Sequence, residues 1–105
     1  MAGQVVVWSP EALEDVEAIA DYIARDSAFY AGAVVEKMLA TAAALVQFPE
    51  SGRVVPELNQ PEIRERFVYS YRLIYRIDGA RILITAVIHG KRLLDDETAN
   101  RLTEK

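Results

Sequence analysis

Apolar residues recur at helical spacing through the first half of the chain. In the segment 10–26 they fall every three or four positions, at Leu13, Val16, Ile19 and Ile23. Ser9 suits an N-cap, and Pro10 suits the first helical turn, where its missing N–H has no helical partner to lose. The pattern predicts a first helix that ends near residue 26 and buries one stripe of its surface.

A longer apolar stripe with a period near 3.6 follows Ser27, which can cap a second helix. Its members are Ala31, Val34, Val35, Met38, Leu39, Ala42, Leu45 and Val46. Pro49 cannot continue a helix, so the stripe ends before it. Because only a few residues join the two helices, they are predicted to pack as an antiparallel hairpin.

Shorter apolar runs predict β-strands. One covers residues 4–8, and three more cover 64–69, 71–77 and 81–89, after a loop at 50–63 that contains two prolines. The sequence therefore predicts an α+β fold in which a short N-terminal strand and the helical hairpin pack on a small, mainly antiparallel sheet. With 105 residues the chain is expected to be one domain, and residues 93–105 are expected to form a short last helix, capped by Asp95 or Asp96, or a tail.

Alternation along the last two strands assigns their side chains to two faces. The face predicted to cover the helices holds Tyr71, Leu73, Tyr75, Ile77, Ile82, Ile84, Ala86 and Ile88. The opposite face holds Arg72, Ile74, Arg76, Arg81, Leu83, Thr85, Val87 and His89. A turn at 78–79 places Arg76 opposite Arg81, whereas a turn at 79–80 places Asp78 there, and both keep these faces. The second face is predicted to be exposed, cationic and apolar at once.

Charge is distributed unevenly within the net value of −4. Residues 1–52 hold two basic and eight acidic side chains, residues 53–92 hold eight and four, and residues 93–105 hold two and four. Overall acidity weakens attraction to nucleic acid, whereas a local basic patch can bind a phosphate or an acidic peptide. The middle segment is therefore the candidate binding region.

Few residues offer catalytic or metal-binding chemistry. The chain has no cysteine and one histidine, His89, so neither a metal nor a cofactor is predicted. His89 suits a general acid or base, and equally a surface or capping residue. Four arginines suit either bidentate phosphate binding or a solvated sheet face: Arg64, Arg66, Arg72 and Arg76. Parity assigns Tyr69, Tyr71 and Tyr75 mainly to the core.

Location is predicted from the same features. The N-terminus lacks a secretion signal, and Glu36 and Lys37 interrupt the most apolar segment. We expect a cytoplasmic protein that does not enter a membrane.

Several motifs in order carry a family resemblance. They are WSPEALEDVEAIADYIARDS, FPESGR, IRERFVYSYRLIYRI and ILITAVIHGKR, which together span most of residues 5–92. In this order they resemble the RelE/ParE superfamily of toxins from type II toxin–antitoxin and plasmid-stabilisation modules. The resemblance implies a helical hairpin packed on a small antiparallel sheet. It also implies a ParD- or RelB-like antitoxin that covers the toxin's helices and sheet in a hetero-oligomer.

The resemblance implies one of two targets. RelE-like relatives cut messenger RNA on the ribosome, and there Arg72 would hold the phosphate and His89 would move a proton. At the position where some RelE-like relatives carry the catalytic base, this chain has Val54 and Val55, and Glu57 follows slightly later. The pI near 5.0 is also unfavourable for binding to ribosomal RNA. The motif Tyr-Arg-x-x-Tyr-Arg is more similar to that of ParE-like relatives, which poison DNA gyrase, so gyrase is the favoured target. An inactive module that binds its antitoxin and autoregulates an operon is the second alternative.

The resemblance also gives a predicted contact surface for antitoxin or target. Its residues are Arg64, Arg66, Arg72, Ile74, Arg76, Leu83, Val87 and Arg92. Arginines interleaved with apolar side chains suit an amphipathic, partly acidic peptide.

Overall fold

The computed structural model describes residues 4–104 of the chain. The elements in chain order are β1 Val5–Trp8, α1 Pro10–Ala24, α2 Ala28–Ala44, β2 Arg53–Val54, β3 Ile63–Val68, β4 Tyr71–Asp78, β5 Arg81–His89 and α3 Asp96–Thr103. The α+β architecture and both long helices are confirmed. The short strand β2 lies within the segment predicted to be a loop.

Capping side chains fix where the three helices begin. Ser9 accepts a hydrogen bond from the Ala12 amide at 3.0 Å, and Ser27 accepts one from the Tyr30 amide at 3.0 Å. Asp95 caps α3 through the Thr98 amide at 2.8 Å. Each cap satisfies a backbone N–H that has no partner inside its helix. The predicted caps are confirmed, and Asp95 is the cap of α3.

The sheet has the strand order β1-β5-β4-β3-β2. Strand β1 runs parallel to β5, and the other neighbours are antiparallel. At the β4–β5 hairpin Asp78 pairs with Arg81, and their side chains form an ion pair at 2.8 Å. The turn residues are therefore Gly79 and Ala80, with Gly79 in the left-handed region at φ 60°.

A β-bulge at Thr85 changes the faces of strand β5. Ile74 pairs with Ala86, while Tyr75 pairs with Ile84, so no residue of β4 lies opposite Thr85 in the strand register. Beyond the bulge every side chain moves to the opposite face. The predicted faces are right as far as Ile84 and wrong beyond it: Ala86 and Ile88 leave the helices, and Val87 and His89 face them.

The first hydrophobic core lies between the helical hairpin and the sheet. Its buried members are Ala12, Val16, Val34, Met38, Ala42, Leu45, Val68, Leu73, Tyr75, Ile82, Ile84 and Val87. Leu13 and Leu39, predicted to belong to the buried stripes, are about half exposed. Ala12, in the first turn of α1, is fully buried instead.

A second hydrophobic core covers the other face of the sheet. Helix α3 and the segment between β2 and β3 pack over it, and the buried members are Val55, Ile63, Ile74, Ala86, Ile88 and Leu102. The prediction that this face is exposed is therefore wrong. Ile74 has no exposed surface, and Arg72 and Arg76 are buried as well. The sheet face that mixes arginine with apolar residues is therefore the surface on which the chain's own last helix packs.

Side chains from α1 and α3, on opposite faces of the sheet, meet at the bulge. The Asp15 carboxylate from α1 accepts a hydrogen bond from the Val87 amide at 3.0 Å and pairs with Arg101 of α3 at 2.9 Å. Arg101 in turn donates to the Thr85 carbonyl at 2.9 Å. Backbone groups at the bulge thus gain side-chain partners from both sides of the sheet.

Candidate functional site

Arg72 lies at the centre of a buried cluster of charges. Its guanidinium contacts both carboxylate oxygens of Glu57, at 2.9 and 2.8 Å, and its Nε donates to Glu65 at 2.6 Å. Nη1 also donates to the Arg92 carbonyl at 3.2 Å. Every nitrogen of the guanidinium therefore has an acceptor within the protein, and its fork is matched to Glu57 in bidentate geometry.

Glu65 holds the buried end of the same cluster. Its side chain has no exposed surface, and its second oxygen accepts from Arg53 Nε at 2.5 Å. Alternation along β3 places Glu65 on the α3 side of the sheet, where Arg72 of β4 also lies. A buried carboxylate requires such partners, because an uncompensated charge in the interior is costly.

The charge cluster shifts the pKa values of its members. Hydrogen bonds from Arg72 lower the pKa of Glu57 from 4.5 to about 2, against the opposing effect of partial burial. Hydrogen bonds to Glu57 raise the pKa of Arg72 above its ordinary value. Glu57 is thus ionised in the folded protein under all but strongly acidic conditions.

We expect Glu57 to make stability depend on pH in acid. A carboxyl whose pKa is lower in the folded state stabilises fully above the unfolded pKa and loses that contribution as pH falls through the folded pKa, here between 4.5 and about 2. Because solvent reaches this carboxylate, the contribution is about 1 to 2 kcal/mol after screening. Denaturant unfolding should show that the stability gap between the wild type and Glu57→Gln narrows over this window. Glu62→Gln is the control for the loss of one charge, and a gap independent of pH would contradict the expectation.

An open cleft of about 370 Å³ lies above the cluster and is lined by Arg53, Pro56, Glu57, Arg72, Gly90 and Leu93. Arg72 contributes little accessible surface to it, since its side chain is 4% exposed. A ligand phosphate could bind the Arg72 guanidinium only by displacing Glu57.

His89 lies on the other side of the sheet. It pairs with Tyr71 at the end of β5, their rings meet edge to face at 5.6 Å, and its Nδ1 accepts the Lys91 amide at 3.2 Å. A second open cleft, of about 390 Å³, contains His89 together with Asp15, Tyr22, Tyr71 and Arg92. Because Arg72 pairs with Ile88 and projects to the α3 side, the structure does not bring Arg72 and His89 together.

The remaining arginines of the predicted set also bind the chain itself. Arg64 and Arg66 lie on the helical side of the sheet: Arg64 donates to the carbonyls of Pro61 at 2.8 Å and Gly52 at 3.0 Å, and Arg66 donates to Ser51 Oγ at 3.0 Å. On the α3 side, Arg76 donates to the Leu102 carbonyl at 3.1 Å and to the Glu104 carbonyl. The sequence predicted one arginine face, whereas the structure has two separate pairs.

The other predicted contact residues are divided in the same way. Ile74 and Val87 are buried in the second and first cores, Leu83 is partly buried, and Arg92 is exposed. Arg92 Nη2 lies 3.5 Å from Asp95.

The segment FPESGR is explained by the buried hydroxyl of Tyr75. This hydroxyl donates to the Pro49 carbonyl at 2.7 Å and accepts from the Gly52 amide at 3.0 Å, and burial raises its pKa. A Cβ atom on Gly52 would lie 2.5 Å from the Glu65 carbonyl oxygen and 2.7 Å from the Tyr75 hydroxyl. The glycine is therefore required by the close approach of the loop to β3 and β4.

Sequence reasoning missed the partners of Arg72. A signal existed in the alternation of β3, where Glu65 stands between two arginines and faces the opposite way from both. Within residues 4–104 no group of three or more metal-binding side chains comes together. No helix in the same range is long and apolar enough to cross a membrane.

Solved structures share this architecture. A chain of the chromosomal ParDE toxin–antitoxin system from P. aeruginosa superposes with a TM-score of 0.68 at 21% identity, over 82% of this chain and 95% of that one. A chain of the RelBE2 toxin–antitoxin complex from Mycobacterium tuberculosis gives 0.57 at 24% identity, over 85% and 93%. The chain thus shares the fold of these two proteins, a helical hairpin on a small sheet, as the sequence motifs implied.

The sequence narrows this class to a family. The family model described as the ParE toxin of the type II toxin–antitoxin system, parDE, matches residues 6–94, and the chain belongs to this family. It is also similar to Toxin RelE2 of Caulobacter vibrioides, with 33% identity over 89 residues that cover 84% of this chain and 97% of that protein.

Proposed function

We propose that this toxin acts on DNA gyrase and does not cleave messenger RNA. The observation that carries the proposal is the environment of Arg72. Its guanidinium is already bound by two carboxylates of the protein, and its side chain projects to the face of the sheet opposite His89. Cleavage of RNA through the 2′-hydroxyl needs a base, a cation on the phosphate and an acid, all around one phosphate. Poisoning a protein target requires no proton transfer by the toxin.

The proposal includes a cognate antitoxin of the ParD or RelB type that neutralises the toxin in a hetero-oligomer. The P. aeruginosa ParDE system and the M. tuberculosis RelBE2 complex, which share this fold, support such a partner. Of the predicted contact residues, those that reach the surface and could meet the antitoxin directly are Arg64, Arg66, Leu83 and Arg92. Both the proposed target and its alternative place the action in the cytoplasm.

The alternative function is ribosome-dependent cleavage of messenger RNA. It is favoured by the cleft in which a carboxylate and a cation, Glu57 and Arg72, lie side by side. Catalysis there requires Glu57 to release Arg72, and His89 would have to reach the site from the other face of the sheet. An inactive module that only binds its antitoxin is the third reading, and it predicts no growth inhibition.

The test is induced expression without antitoxin, with translation, messenger RNA and DNA breaks measured separately. We expect growth arrest, intact messenger RNA and accumulated double-strand breaks. His89→Gln keeps size and hydrogen bonding but cannot carry a proton at neutral pH, so it should remain as toxic as the wild type. Lys37→Gln, at an exposed position of α2, is the control. If purified wild type cuts ribosome-bound messenger RNA, and His89→Gln loses roughly 10² to 10⁴ of that rate, the gyrase proposal is wrong.

A further inference from the structure

Six of the chain's nine aromatic residues lie at one end of the molecule, here called the aromatic end. They are Tyr22, Phe29, Tyr30, Phe67, Tyr69 and Tyr71. They come from the last turns of α1, the first turn of α2, the β3–β4 turn and the strands beside it. The rings of Tyr30 and Tyr69 are 6.1 Å apart, and Tyr22 lines the same cleft as Tyr71. Phe67 pairs with Arg72 and projects to the α3 side of the sheet at this end.

These aromatic side chains are unusually open to solvent. Phe29 is 88% exposed and Tyr22 66%, while Phe67, Tyr69 and Tyr30 are each about half exposed. Isolated exposed apolar residues need no explanation, but several large ones gathered at one end of a molecule mark a candidate interaction site. Parity of the strand had predicted Tyr69 in the core, and the structure places it at the tip of the hairpin.

The backbone of Tyr69 is strained to present its ring. Its φ is 54°, in the left-handed region that favours glycine and asparagine. Such strain persists where the surroundings impose it, and it concentrates at functional positions. A tyrosine in this turn therefore points to a role for the ring beyond folding.

Cations surround the aromatic end, and two of them lie over its rings. The Arg53 guanidinium is 5.4 Å from the centre of the Phe67 ring, and the Arg25 guanidinium is 5.6 Å from that of Tyr22. Lys91 and Arg92 follow His89 at the edge of the Tyr71 cleft. Tyrosine, phenylalanine and arginine together are the composition of energetic centres in protein–protein interfaces.

A protein fits this surface better than a nucleic acid does. Binding a phosphate backbone relies on several unpaired cations, whereas Arg53 is paired with Glu65, and Arg25 lies between the acidic residues Asp21 and Asp26 in sequence. The net charge of −4 also opposes a polyanion. An apolar protein patch with a carboxylate at its rim meets both the rings and the exposed Lys91, and it could also reach Arg92, whose own partner Asp95 lies 3.5 Å away.

We propose that the aromatic end is the surface with which the toxin binds its protein target, an inference that rests on the proposed action on gyrase. The complementary surface on gyrase presents apolar side chains to Phe29 and Tyr69 and an acidic side chain to Lys91 or Arg92. Binding at this end leaves helix α3 and the buried charge cluster in place.

The test uses the full-length chain with Phe29→Ser and, separately, Tyr69→Asn. Phe29 is mostly exposed, and asparagine suits the left-handed backbone of residue 69, so both variants should keep the wild-type Tm. Affinity for purified gyrase, and gyrase-dependent DNA cleavage, should each fall at least tenfold per variant.

Phe48→Ser is the matched control, because Phe48 is also a largely exposed aromatic residue, at 66%, and lies at the opposite end. It lines a cleft with Ile77, which lies six residues along β4 from Tyr71, a separation of about 20 Å. This variant should bind and poison gyrase like the wild type.

Four results would overturn the inference. If the wild type poisons gyrase and both variants do so equally well, the aromatic end is not the contact. If the variants lose affinity for single-stranded DNA without gyrase, the surface binds nucleic acid. If they lose affinity for the antitoxin alone, the surface belongs to that partner. If the wild type leaves gyrase untouched, the inference fails together with the proposed function.

Discussion

Arg72→Ala will lower the free energy of unfolding by about 3 to 5 kcal/mol, because it leaves the carboxylate of Glu65 without the cation that is buried beside it. Denaturant unfolding followed by circular dichroism measures this loss. Arg53→Ala removes the other cation from the same carboxylate, but that side chain is 59% exposed, so about 1 kcal/mol is expected.

A double variant separates the charge from the packing. Arg72→Met combined with Glu65→Leu removes both buried charges at once, and it should be more stable than Arg72→Met alone because no unpaired charge remains in the interior; Glu57 and Arg53, which lose their partners, are reached by solvent. A loss below about 1 kcal/mol for Arg72→Ala would show that water or Arg53 compensates Glu65, contrary to the buried pairing described above.

The expected instability changes how activity data on Arg72 should be read. An arginine in a toxin of this superfamily invites a catalytic reading when its alanine variant is inactive. Here the same loss follows from unfolding, since the guanidinium joins β4 to Glu57 and Glu65. Arg72→Ala is therefore informative about mechanism only together with its unfolding curve.

Ile74→Asp will prevent stable folding or cost at least about 4 kcal/mol, because it places a carboxylate in the second core beneath Leu102. Ile74→Val should cost about 0.5 to 1.5 kcal/mol at the same position. Leu93→Asp is the control on the exposed loop and should stay within about 0.5 kcal/mol of the wild type. A folded, stable Ile74→Asp would mean that helix α3 does not cover this face in solution.

Local features of the fold were predictable because their causes are local. Ser9, Ser27 and Asp95 cap helices through hydrogen bonds to amides three residues away, and the apolar period between them needs no distant partner. The Asp78-Gly79 pair likewise locates the hairpin, although only the observed register, with Asp78 opposite Arg81, decides between its two turns.

The faces of β5 were predictable only as far as the bulge. Residues 82–88 are nearly all apolar because both sides of the strand are buried, so alternation carries no information there, and one unpaired residue reverses the assignment. The continuous apolar run was itself a signal that something covers each face. The run did not identify α3 as the covering element, because α3 contributes a single buried apolar side chain, Leu102.

The candidate site was less predictable than the fold because its arginines are used by tertiary contacts. A sequence shows that Arg64, Arg66, Arg72 and Arg76 alternate along two strands, but not that carbonyls, a carboxylate and a serine hydroxyl farther along the chain accept from them. The exposed rings of the aromatic end were missed for the opposite reason. Alternation predicts whether a residue within a strand is buried, but it does not apply to a residue in a turn such as Tyr69, whose ring points outward.

The two shortest strands of the sheet lie at its two edges. Strand β1 has four residues and β2 has two, whereas the long strands β3, β4 and β5 lie between them. Open backbone groups along a sheet edge are the sites at which chains add to one another during aggregation, and short edges offer few of them. A toxin molecule that has lost its antitoxin should therefore persist as a dispersed protein instead of being removed by self-association.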